Sequence, residues 1–214
     1  MRKYVAWILM YISSGGLYAQ AAVLTVEVVD KSGNPVQDAV VYAESGSAPS
    51  KPATHDPVRI EQKNKTFIPF VTVIPAGTRA YFPNHDGIGH HVYSFSPAKT
   101  FELPLSDKEN SESVLFDKTG VVTVGCNIHD WMVAYVYILS TPYYALTGAR
   151  GKADIADIAA GDYQVHVWHP GIAGAAESTP LTIAAEDPAI LRFTIELKPE
   201  YFWRPPRPAG EDTY

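Results

Sequence analysis

Apolar and polar residues alternate with a period of two along most of this chain, as in Leu24-Thr25-Val26-Glu27-Val28, and no long 3.6-residue pattern competes with them. Such runs predict half-buried β-strands, and the Gly, Pro, Asn and Asp between them supply turn chemistry. LTVEVVD (24 to 30) and AVVYAE (39 to 44) flank KSGNPVQD, a pattern that predicts a two-stranded start. SGSAPSKPATHDP (45 to 57) has little to bury and predicts a linker in which His55 is solvated. From Val58 the runs VRIEQ, TFIPFVTVI, TRAYFPN, HHVYSFS, VVTVGC and MVAYVYIL follow at sandwich spacing, interrupted by the polar loop PLSDKENSES (104 to 113). After TPYY the pattern restarts with two strands in TGARGKADIADIAAGDYQVHVWHP, then LTI and ILRFTIEL. PEYFWRPPRPAGEDTY has four prolines and no burial pattern, which predicts an extended tail over 199–214.

The N-terminus breaks this pattern. Arg2 and Lys3 precede an apolar run, Tyr4 to Ile12, and a small-residue stretch follows to Ala19-Gln20-Ala21, so residues 1–21 read as a secretory signal peptide cut after Ala21 or Ala19. The run is about half the ~20 residues of a membrane span, and nothing later approaches that length. The expectation is an exported protein of the bacterial periplasm with no membrane span. Without Arg2 and Lys3 the 17 basic residues become 15 against 23 acidic ones, a formal charge of −8. That balance argues against nucleic acid as a partner, because phosphate binding needs clustered Lys and Arg.

An exported chain with one cysteine cannot staple itself, so the thiol of Cys126 is a buried small hydrophobe, an intermolecular crosslink or a metal ligand. Its neighbourhood decides what deserves testing. In GCNIHDWM (125 to 132), Cys126, His129 and Met132 fall within one tight loop between two strands, a thiolate, an imidazole and a thioether that can be aimed at one point. A further group comes from FPNHDGIGHHVYSFS, where glycines mark a turn and His90-His91 opens the next strand. Two imidazoles and a thiolate with a weak axial methionine are the donors of a blue-copper site. Zinc prefers further Cys, His or carboxylate, and calcium or magnesium prefers oxygen. Strand alternation sends His90 and His91 to opposite faces, so only one reaches the site, and alternation alone does not choose between them. His85 is a weaker candidate, Trp131 is either a packing residue or a surface contact beside His129, and His166 and His169, three apart on one strand, face opposite sides and do not suggest a second site.

Residues 58–140 resemble a cupredoxin of the amicyanin and plastocyanin kind. The shared features are the F-x-N-x-D-type loop running into G-H-x-V, the C-x-x-H-x-x-M loop, whose spacing is similar to amicyanin, and the strands either side. The resemblance implies a Greek-key β-sandwich holding one type-1 copper through His90, Cys126, His129 and Met132, with His91 and Asn84 as supporting residues or alternative ligands. The chain departs from the pattern in having Asn127-Ile128 between Cys126 and His129 and His91 after His90, which implies different outer hydrogen bonds. The whole chain resembles exported plastocyanin-like proteins labelled methylamine utilisation proteins.

VEVVDKSGNPVQDAVV and TGARGKADIADIAAGDYQV resemble strands of the carboxypeptidase-regulatory-like (transthyretin-like) β-sandwich. An N-terminal hairpin over 22–50 and a part over 143–198 would then form one discontinuous sandwich around the middle unit, the alternative being two sandwiches in tandem. The fold class is thus all-β. The function the resemblance implies is an electron carrier, not an enzyme, that exchanges single electrons with transient protein partners. The alternative is a copper-binding or sensing module without fast electron transfer.

Overall fold

The computed structural model describes residues 22–46, 55–106, 112–184 and 188–199. The expected signal peptide, most of the 45–57 linker and all but the first residue of the 199–214 tail lie outside them. No helix forms among the described residues, as the alternating sequence predicts.

In chain order the strands are β1 (Ala22–Asp30), β2 (Val40–Ser45), β3 (Val58–Arg59), β4 (Glu61–Lys63), β5 (Thr66–Ile68), β6 (Val71–Pro75), β7 (Thr78–Tyr81), β8 (Val92–Ser96) and β9 (Lys99–Glu102). They continue with β10 (Val114–Phe116), β11 (Gly120–Cys126), β12 (Val133–Leu139), β13 (Tyr144–Leu146), β14 (Lys152–Ile158), β15 (Gly161–Trp168), β16 (Glu177–Ile183) and β17 (Ala189–Ile195). The long apolar run TFIPFVTVI is split between β5 and β6, because Pro69 has no N–H to continue a ladder.

Strands from the two ends of the described chain share one core. β1 lies between β14, antiparallel, and β17, parallel, while β2 lies between β13 and β15, with β16 beyond. Leu24, Val26 and Val28 of β1 meet Val41 and Ala43 of β2, Val165 and Val167 of β15, and Phe193 and Ile195 of β17 in one apolar cluster. The expected pairing of β1 with β2 does not occur, since the two strands enter different sheets. The intervening loop turns on itself instead: the Asp30 carboxylate accepts the Ser32 and Asn34 N–H groups, both at 2.8 Å, and satisfies backbone that a hairpin would have paired.

The middle strands enclose a second core. One sheet has the order β6-β12-β11-β8-β9, a smaller one β10-β7-β3, and β4 and β5 form a hairpin. Ile60, Phe67, Phe82, Phe116, Val122, Val124, Val136 and Ile138 fill this core, which Cys126 and Met132 also enter. Between the two cores the outer faces of β12 and β6 meet those of β2 and β13. Val40, Tyr42, Val71 and Leu139 are buried there, and the Tyr42 and Tyr137 hydroxyls lie 3.0 Å apart.

Candidate metal centre

The site stands at one end of the second core, where β8 and β11 pair antiparallel with Gly125 opposite Tyr93 and Cys126 opposite Val92. This register brings the end of β11 beside the segment leading into β8, whose His90 forms a two-bond bridge with Ser106, each N–H reaching the other carbonyl at 3.1 Å. Gly125 is required for close packing: a Cβ there would meet the Tyr93 ring at 3.1 Å.

After Cys126 the chain makes a short closed excursion. The Asn127 N–H donates to the His91 carbonyl at 3.0 Å, the Met132 N–H to the His129 carbonyl at 2.9 Å, and the Cys126 N–H to the Met132 carbonyl at 3.2 Å. The last bond returns Met132 to the side of Cys126, and both are buried, 1% and 3% exposed. The ligating atoms of His90, Cys126 and His129 all lie within 4.8 Å of one another, the only such group of three or more His, Cys or carboxylate side chains among the described residues.

The two ring nitrogens of His90 have separate tasks. Its Nε2 lies 2.8 Å from Asp86 Oδ2, while Nδ1 faces the Cys126 sulfur at 3.8 Å. Burial pushes the Asp86 carboxyl up, but hydrogen bonds from the Lys65 N–H, His90 and the Asn64 N–H outweigh it and hold the group below the usual carboxylate range. An ionised carboxylate only accepts, so Nε2 carries the proton and Nδ1 offers a lone pair toward the sulfur. Sequence reasoning assigned no role to Asp86, although its place four residues before His90 in the F-x-N-x-D loop was the available signal.

His129 sits edge-on to His90, with ring centroids 5.0 Å apart, and Trp131 flanks it at 5.2 Å. The His129 Nδ1 is buried without a hydrogen-bond partner. A buried nitrogen left unpaired costs about 1–3 kcal/mol, which makes this atom conspicuous. Burial, then the charges of His90 and Lys65, push its pKa down against the opposing Asp86, so the ring is neutral and its lone pair free at neutral pH. A thiol, two imidazole nitrogens with nothing else to bind and a buried thioether-bearing residue beside them fit a soft or borderline metal ion.

The remaining candidates lie elsewhere. His91 faces the other side of the chain, its Nε2 2.8 Å from Glu102. Asn84 is buried and commits its amide to the loop, donating to the Ile88 and Ser106 carbonyls at 2.8 Å and accepting the Asp86 N–H at 2.9 Å. His85 lies 3.9 Å from Glu61. His166 stacks on Tyr42 at 4.7 Å beside Glu44, and His169 accepts the Gly171 N–H at 3.0 Å. Trp131 both packs on the second core and donates to the Lys65 carbonyl at 3.2 Å.

No family model matches the chain, and no curated protein matches it. Among solved structures, an amicyanin variant in the Cu(I) form is 15% identical with a TM-score of 0.36, covering 39% of this chain and 82% of that one. A purple cupredoxin from Nitrosopumilus maritimus is 22% identical with a TM-score of 0.35, covering 38% of this chain and 99% of that one. A copper-containing nitrite reductase from Thermus scotoductus SA-01 is 22% identical with a TM-score of 0.37, covering 53% of this chain and 28% of that one. Over part of its length, the chain is similar to cupredoxins.

Proposed function

We propose that this protein is an exported one-electron carrier that holds a single type-1 copper through His90, Cys126 and His129, with Met132 as the weak fourth ligand. The observation that carries this reading is the convergence of ligating atoms from His90, Cys126 and His129 within 4.8 Å, in a group whose His129 also has a buried Nδ1 without a hydrogen-bond partner. Copper bound there supplies reversible one-electron exchange.

The chain's own part is to hold the donors still. Cys126 and His90 are fixed by the pairing of β8 with β11, and His129 and Met132 by the closed loop after Cys126. Cys126 binds as the thiolate, giving up its proton on metal binding. His129, on the loop and partly exposed, is the ligand nearest solvent and the natural point of electron entry. Ile88, Leu105 and Ile128, at 42%, 62% and 50% exposure, give that end an apolar rim of the kind a transient redox partner covers. The role proposed is that of carrier and not enzyme. The strands of the first core are read as a discontinuous transthyretin-like sandwich that encloses the copper-binding unit in sequence.

Spectroscopy tests this reading. Cu(II) loading is expected to produce an intense visible band that reduction bleaches reversibly, with fast electron self-exchange. A Cys126→Ser protein that keeps the band defeats the proposal. Slow self-exchange favours a copper-binding module instead, and a spectrum perturbed by azide or nitrite favours a catalytic centre.

A further inference from the structure

The β4–β5 hairpin stands apart from both large sheets, and its tip is unusual. Lys63 pairs with Thr66, so Asn64 and Lys65 form a two-residue turn, and both have positive φ, 55° and 56°. A two-residue type I′ turn demands this conformation, and Asn at the first position suits it, but the second position is ordinarily glycine. A lysine held in the left-handed region is a local cost that persists only where the surroundings require it.

Three backbone polar groups of the turn meet the metal-site framework. The Asn64 N–H donates to Asp86 Oδ1 at 2.6 Å and the Lys65 N–H to Asp86 Oδ2 at 2.8 Å, a two-pronged grip on one carboxylate. That carboxylate accepts the His90 Nε2–H hydrogen bond through Oδ2 at 2.8 Å. The Lys65 carbonyl accepts the Trp131 Nε1–H at 3.2 Å, and Trp131 packs beside His129. One turn therefore touches the supports of both histidines, which come from different segments, one leading into β8 and one in the loop after β11.

We propose that the Asn64–Lys65 turn is a positioning element for the metal centre: its two N–H groups orient Asp86 so that His90 holds a single tautomer with Nδ1 toward Cys126, and its carbonyl steadies Trp131 against His129. The inference rests on the copper reading above for its consequence, but the tautomer is a property of the protein without metal. Without the turn, the Asp86 carboxylate loses two charge-assisted bonds and rotates freely, and His90 loses the acceptor that fixes its ring. The strained Lys65 is then explained by what its N–H and carbonyl hold.

The test reads the metal-free and copper-loaded protein separately. Nitrogen NMR of the metal-free full chain reports which ring nitrogen of His90 carries the proton, and the expectation is Nε2 alone. Asn64→Val with Lys65→Val opposes both positive φ values, and Asp86→Asn keeps the turn but replaces an acceptor by an amide that cannot satisfy both N–H groups and His90. Each is expected to give a mixture of His90 tautomers and to weaken Cu(II) binding about 10- to 100-fold, the usual cost of losing an outer partner of a metal ligand. Gly151→Ala, which crowds the other core, lowers stability and is expected to leave the tautomer and the visible band unchanged. A single Nε2–H tautomer and undiminished copper affinity in Asp86→Asn overturns the proposal, even where the valine pair fails to fold. Should the unaltered chain take up no copper, the electron-carrier reading fails, and the tautomer readout still decides the role of the turn.

Discussion

His90 Nδ1 lies 3.8 Å from Cys126 Sγ although the residues are 36 positions apart, and strand pairing sets that distance. Cys126 stands opposite Val92, so the residue two before Val92 shares the face of the cysteine while His91 points away to Glu102. A single register thus selects which of the two histidines faces the cysteine. His90→Gln is expected to lower Cu(II) affinity by more than the roughly 10- to 100-fold typical of losing an outer partner, whereas His91→Gln keeps it. Competition with a chelator of known affinity measures both.

The Tyr42–Tyr137 hydroxyl contact joins the two cores, with Tyr42 buried and Tyr137 half-buried. Tyr42→Phe or Tyr137→Phe leaves the other hydroxyl without its partner, at an expected cost of about 0.5–1.5 kcal/mol. The double variant is expected to cost less than the sum of the two, because both changes remove one bond. Denaturant unfolding of the four proteins closes the cycle.

The same pair gives the molecule an alkaline limit. Burial pushes the Tyr42 phenol up, aided by the Tyr137 hydrogen bond; burial also pushes Tyr137 up, with Tyr42 opposing. A phenol whose folded pKa exceeds its unfolded value binds more protons in the native state as pH rises, so stability falls with pH. The contribution is complete below the ordinary phenol value of about 10 and is lost as pH climbs from there toward the folded pKa. Thermal unfolding between about pH 9 and 11 is expected to show this decline, with a shallower slope in Tyr42→Phe.

Period-two alternation made the larger strands and the site loop legible, because burial on one face leaves its mark residue by residue. β9, β10 and β13 escaped notice: each is three or four residues long, too short for alternation to register, and each is held by a longer neighbour. The exchange of β1 and β2 between sheets was also hidden, since turn residues flanked by apolar runs look the same whether the strands pair or cross. At the candidate site, the spacing of Cys126, His129 and Met132 was suggestive, and the upstream histidine pair gave it weight. Asp86 and the Asn64–Lys65 turn left no such mark, because what joins them is backbone N–H groups meeting a carboxylate 22 and 21 positions away, and backbone groups carry no residue-type signature.

Gly151 has φ +68°, and a Cβ there would stand 2.5 Å from the Val28 carbonyl oxygen and 3.0 Å from the Val36 nitrogen. Both obstacles are backbone, and the Val28 N–H donates to the Gly151 carbonyl at 2.7 Å, so the segment has no slack. Gly151→Ala must therefore displace β1 or the turn that feeds β14. Left-handed strain alone costs about 1–2 kcal/mol, and the clash adds to it. A loss of at least about 2 kcal/mol in denaturant unfolding is expected, with the visible band of the copper-loaded protein unchanged, since the residue belongs to the other core.

Asn84 connects the stability of the site to its chemistry. Its side chain satisfies two carbonyls, of Ile88 and Ser106, and the N–H of Asp86, while Ser106 is bridged to His90. Asn84→Ala leaves the Ile88 carbonyl and the Asp86 N–H without this partner, while the Ser106 carbonyl keeps the His90 N–H, and each group left unmet costs about 1–3 kcal/mol unless water replaces the amide. Asn84→Asp is the sharper change. Its carboxylate still accepts from Asp86 N–H, but it cannot donate, and it sets a negative charge against two carbonyl oxygens and near the Asp86 carboxylate. If Asn84 acted as a metal ligand, Asp would serve as well or better, because carboxylate oxygen binds ions more strongly than amide oxygen. If its work is to tie the loop, Asp should be worse than Ala. The expected order of thermal stability in the metal-free protein is Asn84 above Ala above Asp, with copper affinity following the same order, and a gain in affinity for Asn84→Asp would assign the side chain to the metal instead.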